Sequence, residues 1–132
     1  MIYYLTMLDR DSLLAMAGRL LLALIFIASA FGKVTEFEKT VLFMEAHGVP
    51  LAALLCVLAA LVEGAGGIAL VVGYQTRLAA AALAVFVTAS TIIFHLSPDQ
   101  RIDLLRNLAV IGGLLQVMAW GPGDISMEGR RS

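Results

Sequence analysis

The sequence predicts an all-α membrane protein, a four-transmembrane-helix antiparallel bundle with a short amphipathic interfacial helix between helices 1 and 2. Three observations carry this. Of the 132 residues, 61% are hydrophobic and 14% charged, whereas charged residues make up about 25% of ordinary soluble chains. The apolar residues gather into four stretches of roughly 17–23 residues, each about long enough to cross a ~30 Å hydrocarbon core as a helix. The connections between them hold glycine, proline and charge. A chain of this length has room for one domain, and a soluble helical core of this size would leave much of that apolar surface in water.

Span 1 is expected over about residues 12–32, with Ser12 as a plausible N-cap after Asp9-Arg10-Asp11. It is read as a retained span and not as a signal peptide: no basic segment directly precedes it, Arg19 lies inside it, and no small-x-small cleavage site leads into a soluble domain. Residues 33–49 form a connection in which Thr35 and Glu38 have capping-box spacing. Phe37, Val41 and Met44 fall on one face there, which suits a short helix lying on the membrane surface. Gly48 and Pro50 end it, and span 2 follows over about 50–72. Gly73-Tyr74-Gln75-Thr76-Arg77 is so short that spans 2 and 3 should be antiparallel neighbours. Span 3 covers about 77–95, without a charge between Leu78 and Phe94. After a loop containing Pro98, span 4 covers about 102–120 and ends at Trp120-Gly121-Pro122-Gly123, an interfacial aromatic followed by helix breakers.

Four spans place both termini and the loop between spans 2 and 3 on one side, together with Arg10, Arg77, Arg130 and Arg131. The other side carries Lys33, Lys39 and Arg101, so the positive-inside rule gives a slight bias towards cytoplasmic termini. The lone Cys56 excludes an internal disulfide and a CxxC pair and reads as a small packing residue. The dispersed charge offers no nucleic-acid surface, and no set of His, Cys or carboxylate side chains has metal-site spacing.

Ionisable residues inside a span are costly and mark either function or a paired structural site. At 100° per residue, Glu63 shares a face with Cys56, Ala59, Gly66, Gly67 and Leu70, and the opposite face is leucine-rich. Arg19, Ala23, Phe26, Ala30 and Lys33 form a similar stripe on span 1. Arg77, Ala81, Ala84, Thr88, Thr91 and His95 do so on span 3, and Arg106, Asn107, Gly113 and Gln116 on span 4. Small residues permit close helix approach, so these faces should point inward and enclose polar groups. Depth sorts them into two layers. Arg19 and Glu63 are expected about 5 Å apart along the axis, close enough for an ion pair that either sets helix register or handles a ligand or proton. Lys33, His95, Arg106 and Asn107, with Asp103 nearby, are expected to converge at the opposite end. Their N–H donors suit an anion or a quinone carbonyl, while simple snorkelling to headgroups is the bland alternative.

Several of these stretches resemble the DoxX family of small bacterial four-helix membrane proteins. They are Gly18-Arg19-Leu20-Leu21-Leu22-Ala23-Leu24-Ile25-Phe26 with Phe31-Gly32-Lys33; Glu63 followed by Gly66-Gly67; Gly73-Tyr74-Gln75-Thr76-Arg77; Arg106-Asn107-Leu108-Ala109 with Gly112-Gly113-Leu114-Leu115; and Gly121-Pro122-Gly123-Asp124-Ile125-Ser126. Together they run over about residues 15–128, and Arg106 stands where the family often has lysine. The resemblance implies a plasma-membrane protein. Some relatives are subunits of thiosulfate:quinone oxidoreductase systems, and others are linked to redox or oxidative-stress complexes.

The resulting expectation is an inner-membrane accessory or anchoring subunit of a redox-associated complex. It would hold a quinone or small sulfur oxyanion in the polar bundle interior, with Arg19 and Glu63 as the internal pair and Lys33, His95, Arg106 and Asn107 as the outer donor cluster, and with no catalytic residue, metal or intrinsic cofactor of its own. Its expected partners are the lipid bilayer and either further copies of itself or redox subunits. A small proton-coupled transporter using Glu63 and a purely structural membrane subunit are the alternatives.

Overall fold

The computed structural model describes residues 10–94 and 98–127. Among them are five α-helices: α1 (Arg10–Thr35), α2 (Phe37–Ala46), α3 (Ala52–Val72), α4 (Thr76–Phe94) and α5 (Arg101–Trp120), with a 3₁₀ turn at Pro98–Gln100 before α5. Four of them, α1, α3, α4 and α5, are long and apolar enough to cross a membrane. At 1.5 Å per residue, the 19 to 21 residues of the last three reach roughly 30 Å, and the 26 of α1 nearly 40 Å.

The extra length of α1 changes two local expectations. The helix begins before Ser12, so Ser12 is no cap; it is buried, and its hydroxyl donates to Asp124 Oδ2 at 3.2 Å. The helix also continues through Thr35, whose hydroxyl bonds back to the Phe31 carbonyl at 3.0 Å, one turn earlier. The capping box with Glu38 therefore does not form, and α2 starts after Glu36 without a side-chain cap.

The turn between α3 and α4 needs glycine on two grounds. Gly73 has φ +72°, and its N–H and that of Tyr74 both reach the Ala69 carbonyl, at 2.8 and 3.1 Å, the pattern of a Schellman ending. A Cβ there would also collide with Ser126.

Helix α1 packs most extensively on α3, and α4 packs against both α3 and α5. Gly64 faces Ala30, while Gly67 faces Ile27 and the Ala23 carbonyl, so residue numbers fall along α3 as they rise along α1. A Cβ on Gly66 would lie 2.8 Å from Leu83 Cγ, and one on Gly67 2.8 Å from Ile27 Cγ1. The adjacent glycines thus serve two different neighbours, α4 and α1. Ala23, Phe26, Leu70, Ala80, Leu83, Val87 and Leu114 form the main core. Met44, Ala52 and Cys56 form a second cluster under α2, where the Cys56 side chain is fully buried as a packing group. Leu54, Leu58, Leu61, Ile68 and Val72 face outward on α3, the side that the sequence assigns to lipid.

Candidate functional site

Glu63 lies near the middle of α3 and is 3% exposed. Its partner is Lys33, from the last turn of α1, whose Nζ stands 2.5 Å from Glu63 Oε1. The same ammonium donates to Ser29 Oγ at 2.9 Å, one turn back on α1. It also sits 5.9 Å from the centroid of the Phe86 ring on α4, within the range of a cation–π contact. A carboxylate from α3, an ammonium and hydroxyl from α1 and an aromatic face from α4 therefore meet at one point.

This group opens onto a cleft of about 480 Å³ lined by Ser29, Lys33, Glu63, Ser90, Arg106 and Asn107, with Phe26 and Phe86 among its apolar walls. Asn107 Nδ2 donates to Thr91 Oγ1 at 3.0 Å, and the Thr91 hydroxyl donates to the Val87 carbonyl at 2.7 Å. That relay fixes the amide of α5 against α4. Arg106, more exposed, pairs with Asp103 at 2.9 Å one turn back on α5. Each of the two cations of the cleft thus has its own carboxylate, so the cleft is a set of polar partners with little net charge.

Arg19 lies elsewhere, and the expected Arg19–Glu63 pair does not form. Its guanidinium is buried and donates to the carbonyls of Pro122 at 2.6 Å, Ile125 at 2.9 Å and Val71 at 3.5 Å. The cause is the register of α1 on α3. Arg19 stands beside the last turn of α3, and Glu63 is level with Ala30, eleven residues further along α1, or roughly 16 Å. The exposed carbonyls of a helix C-terminus attract a cation, and here the chain after α5 brings two more. Arg19 ties the ends of three segments together and is not part of the cleft.

Of the sequence-predicted residues, Lys33, Glu63, Arg106 and Asn107 come together, Arg19 does not, and His95 lies outside the described residues. On α4 the polar stripe is only half internal: Thr91 is buried, whereas Thr88 is exposed and bonds back to the Ala84 carbonyl at 2.8 Å. Gln116 is exposed on α5 and lines a separate groove with Arg19 and Gly18. Sequence reasoning passed over Ser29, Ser90 and Phe86. Ser29 carried a usable signal, since it stands one turn before Lys33 on the same face; the other two had none beyond their place on α4.

Beside this cleft is a second one of about 380 Å³, bounded by α2, α3 and α4 and mostly apolar, with Phe43, Met44, Leu55, Leu58 and Phe94 among its walls. Lys33, Phe86 and Ser90 line both.

The DoxX family model matches residues 14–96. The chain is 33% identical over 116 residues to inner membrane protein YqjF of Escherichia coli (strain K12), covering 86% of this chain and 88% of the relative. It is 29% identical over 125 residues to inner membrane protein YphA of the same organism, covering 89% of each. No solved structure matches. With four apolar helices of membrane-crossing length, a matching family model and inner-membrane relatives aligned over most of their length, the chain belongs to the DoxX family and is a multi-pass inner-membrane protein.

Proposed function

We propose that the protein is an accessory subunit of a redox-associated membrane complex and that it holds a quinone head in the cleft beside Lys33 and Glu63. In this reading the four long helices form an antiparallel bundle with cytoplasmic termini, and α2 lies at the interface. The observation that carries the proposal is the ion pair of buried Glu63 with partly buried Lys33, which opens onto a cleft with further polar groups from α1, α4 and α5. Burying an ion pair is costly even when the pair is well made, and a bundle that needed only to pack could fill the same space with apolar side chains. A cleft that receives a polar ligand gives those groups a use.

The charge balance favours a neutral ligand with carbonyl acceptors. Two carboxylates already meet the two cations, so a small sulfur oxyanion would compete with resident anions at both. A quinone carbonyl instead accepts N–H donors without displacing a carboxylate. The chain's own residues bind and orient; electrons come from a partner or from the diffusible quinone.

A second reading is supported by the mid-helix depth of Glu63, where a buried carboxylate could couple proton movement to transport. One experiment separates the two. Purification in nanodiscs without harsh detergent, followed by mass spectrometry, should yield a quinone and a redox subunit in near-stoichiometric amount. A clean homo-oligomer free of both, showing pH-dependent flux in liposomes, would overturn the accessory-subunit reading in favour of the transporter.

A further inference from the structure

We propose that the apolar groove between α2, α3 and α4 is the other half of the same site and receives the hydrocarbon tail of the bound ligand. The inference rests on the quinone reading above and adds a tail subsite to it. Lys33, Phe86 and Ser90 belong to both cavities, so a head placed against Lys33 in the polar cleft has its attachment point at the mouth of the apolar groove. The two walls differ in the way an amphiphile requires. One side presents a carboxylate, an ammonium, an amide and hydroxyls; the other presents Met44, Leu55, Leu58 and aromatic faces.

The groove also has an aromatic wall. Phe43, His47 and Phe94 pack ring against ring, with centroids 4.4 Å apart for Phe43–His47, 5.3 Å for Phe43–Phe94 and 5.1 Å for His47–Phe94. Phe43 and Phe94 line the groove, so this aromatic group forms part of its wall. An apolar cavity of 150 Å³ holds one benzene ring, so a groove of about 380 Å³ takes roughly two isoprenoid units. The groove is open at its flank, since Leu58 and Ile93 are about half exposed. A longer tail therefore leaves the groove sideways into lipid and gains nothing more.

Lipid hydrocarbon is as apolar as the groove, so solvent exclusion alone does not draw a tail into it. The gain comes from dispersion contacts with shaped walls and from tethering: once the head is bound, the tail is held at high local concentration beside the groove. The effect should be modest and should saturate with length.

The test measures binding of a tail-less quinone and of a quinone with two isoprenoid units to the full chain in nanodiscs of one lipid composition. Wild type is compared with Ala89→Trp, at an exposed position lining the groove, and with Leu58→Trp from the α3 side. Comparing each variant with wild type in the same discs cancels partitioning of the tailed ligand into lipid. The expected result is a loss of about tenfold for the tailed quinone in both variants, with the tail-less quinone within about twofold, because only tethered dispersion contacts are removed. If wild type binds both quinones and the variants shift neither, or shift both equally, the tail subsite is wrong and the head site stands. Failure of wild type to bind either quinone overturns the head reading and this inference with it.

Discussion

Two cations of the same helix, Arg19 buried and Lys33 partly buried, meet opposite fates, and the difference lies in what surrounds each one. Arg19 finds three carbonyl oxygens and no carboxylate; its planar fork suits several acceptors at once. Lys33 finds one carboxylate, one hydroxyl and an aromatic face, partners that suit a compact ammonium. Removing one member of a buried pair leaves the other uncompensated, at a cost of about 3–5 kcal/mol, whereas replacing both by apolar groups is often close to neutral. Glu63→Gln or Lys33→Met alone should therefore lower the thermal midpoint in detergent markedly. The double variant Lys33→Met with Glu63→Leu should recover most of the loss while losing ligand binding. A loss in the double variant equal to the sum of the two single losses would show that the two side chains do not act as a pair.

At the scale of elements, the register of α1 on α3 decides which residues form the site. Gly67 is its tightest point, since a Cβ would meet Ile27 Cγ1 at 2.8 Å and the Ala23 carbonyl at 3.4 Å. Gly67→Val should destabilise by about 1–3 kcal/mol through overpacking. Gly112→Ala, where a Cβ meets nothing within 4 Å, should be neutral or stabilising by up to about 1 kcal/mol, because alanine favours the helix interior over glycine. Thermal unfolding of the two variants in one detergent checks the contrast, and a Gly67→Val protein as stable as Gly112→Ala would refute the close approach.

The same register explains what the sequence could show and what it could not. The four long apolar helices were legible because length and hydropathy set them, and the inward faces of α1 and α3 were legible from small residues at helical spacing. Pairing across helices was not. Arg19 and Glu63 lie at similar depths only if α1 and α3 start and end level, and α1 in fact projects two turns beyond the end of α3. No feature of the sequence announces that projection, although the breakers at Gly121, Pro122 and Gly123 supply the chain that packs beside it. Lys33 and Glu63 were both identified as inward polar residues, yet assigned to different layers for this one reason. Gln116 was misplaced by a smaller error, because the inward face of α5 centres nearer Asn107 and Leu114.

Over the whole molecule, the two ends of the bundle differ. At one end the segment after α5 lies across α1 and α3, held by Arg19 and by the Ser12–Asp124 hydrogen bond. Towards the other, the polar cleft and the apolar groove meet at Lys33. Helix α5 is the least buried of the four long helices, with Leu114 its one buried residue. Its outer face is therefore available to lipid, to a second copy or to the partner subunit that the proposed role requires.

The most direct test of that role is a titration of purified protein in nanodiscs with a short-chain quinone, run on wild type, on Glu63→Gln and on the Lys33→Met, Glu63→Leu double variant. Saturable one-to-one binding by wild type, weakened at least tenfold in both variants while the folded double variant keeps its thermal midpoint, is the predicted result. Binding that is unchanged in the double variant, or absent from wild type, would contradict a quinone site at the Lys33–Glu63 pair.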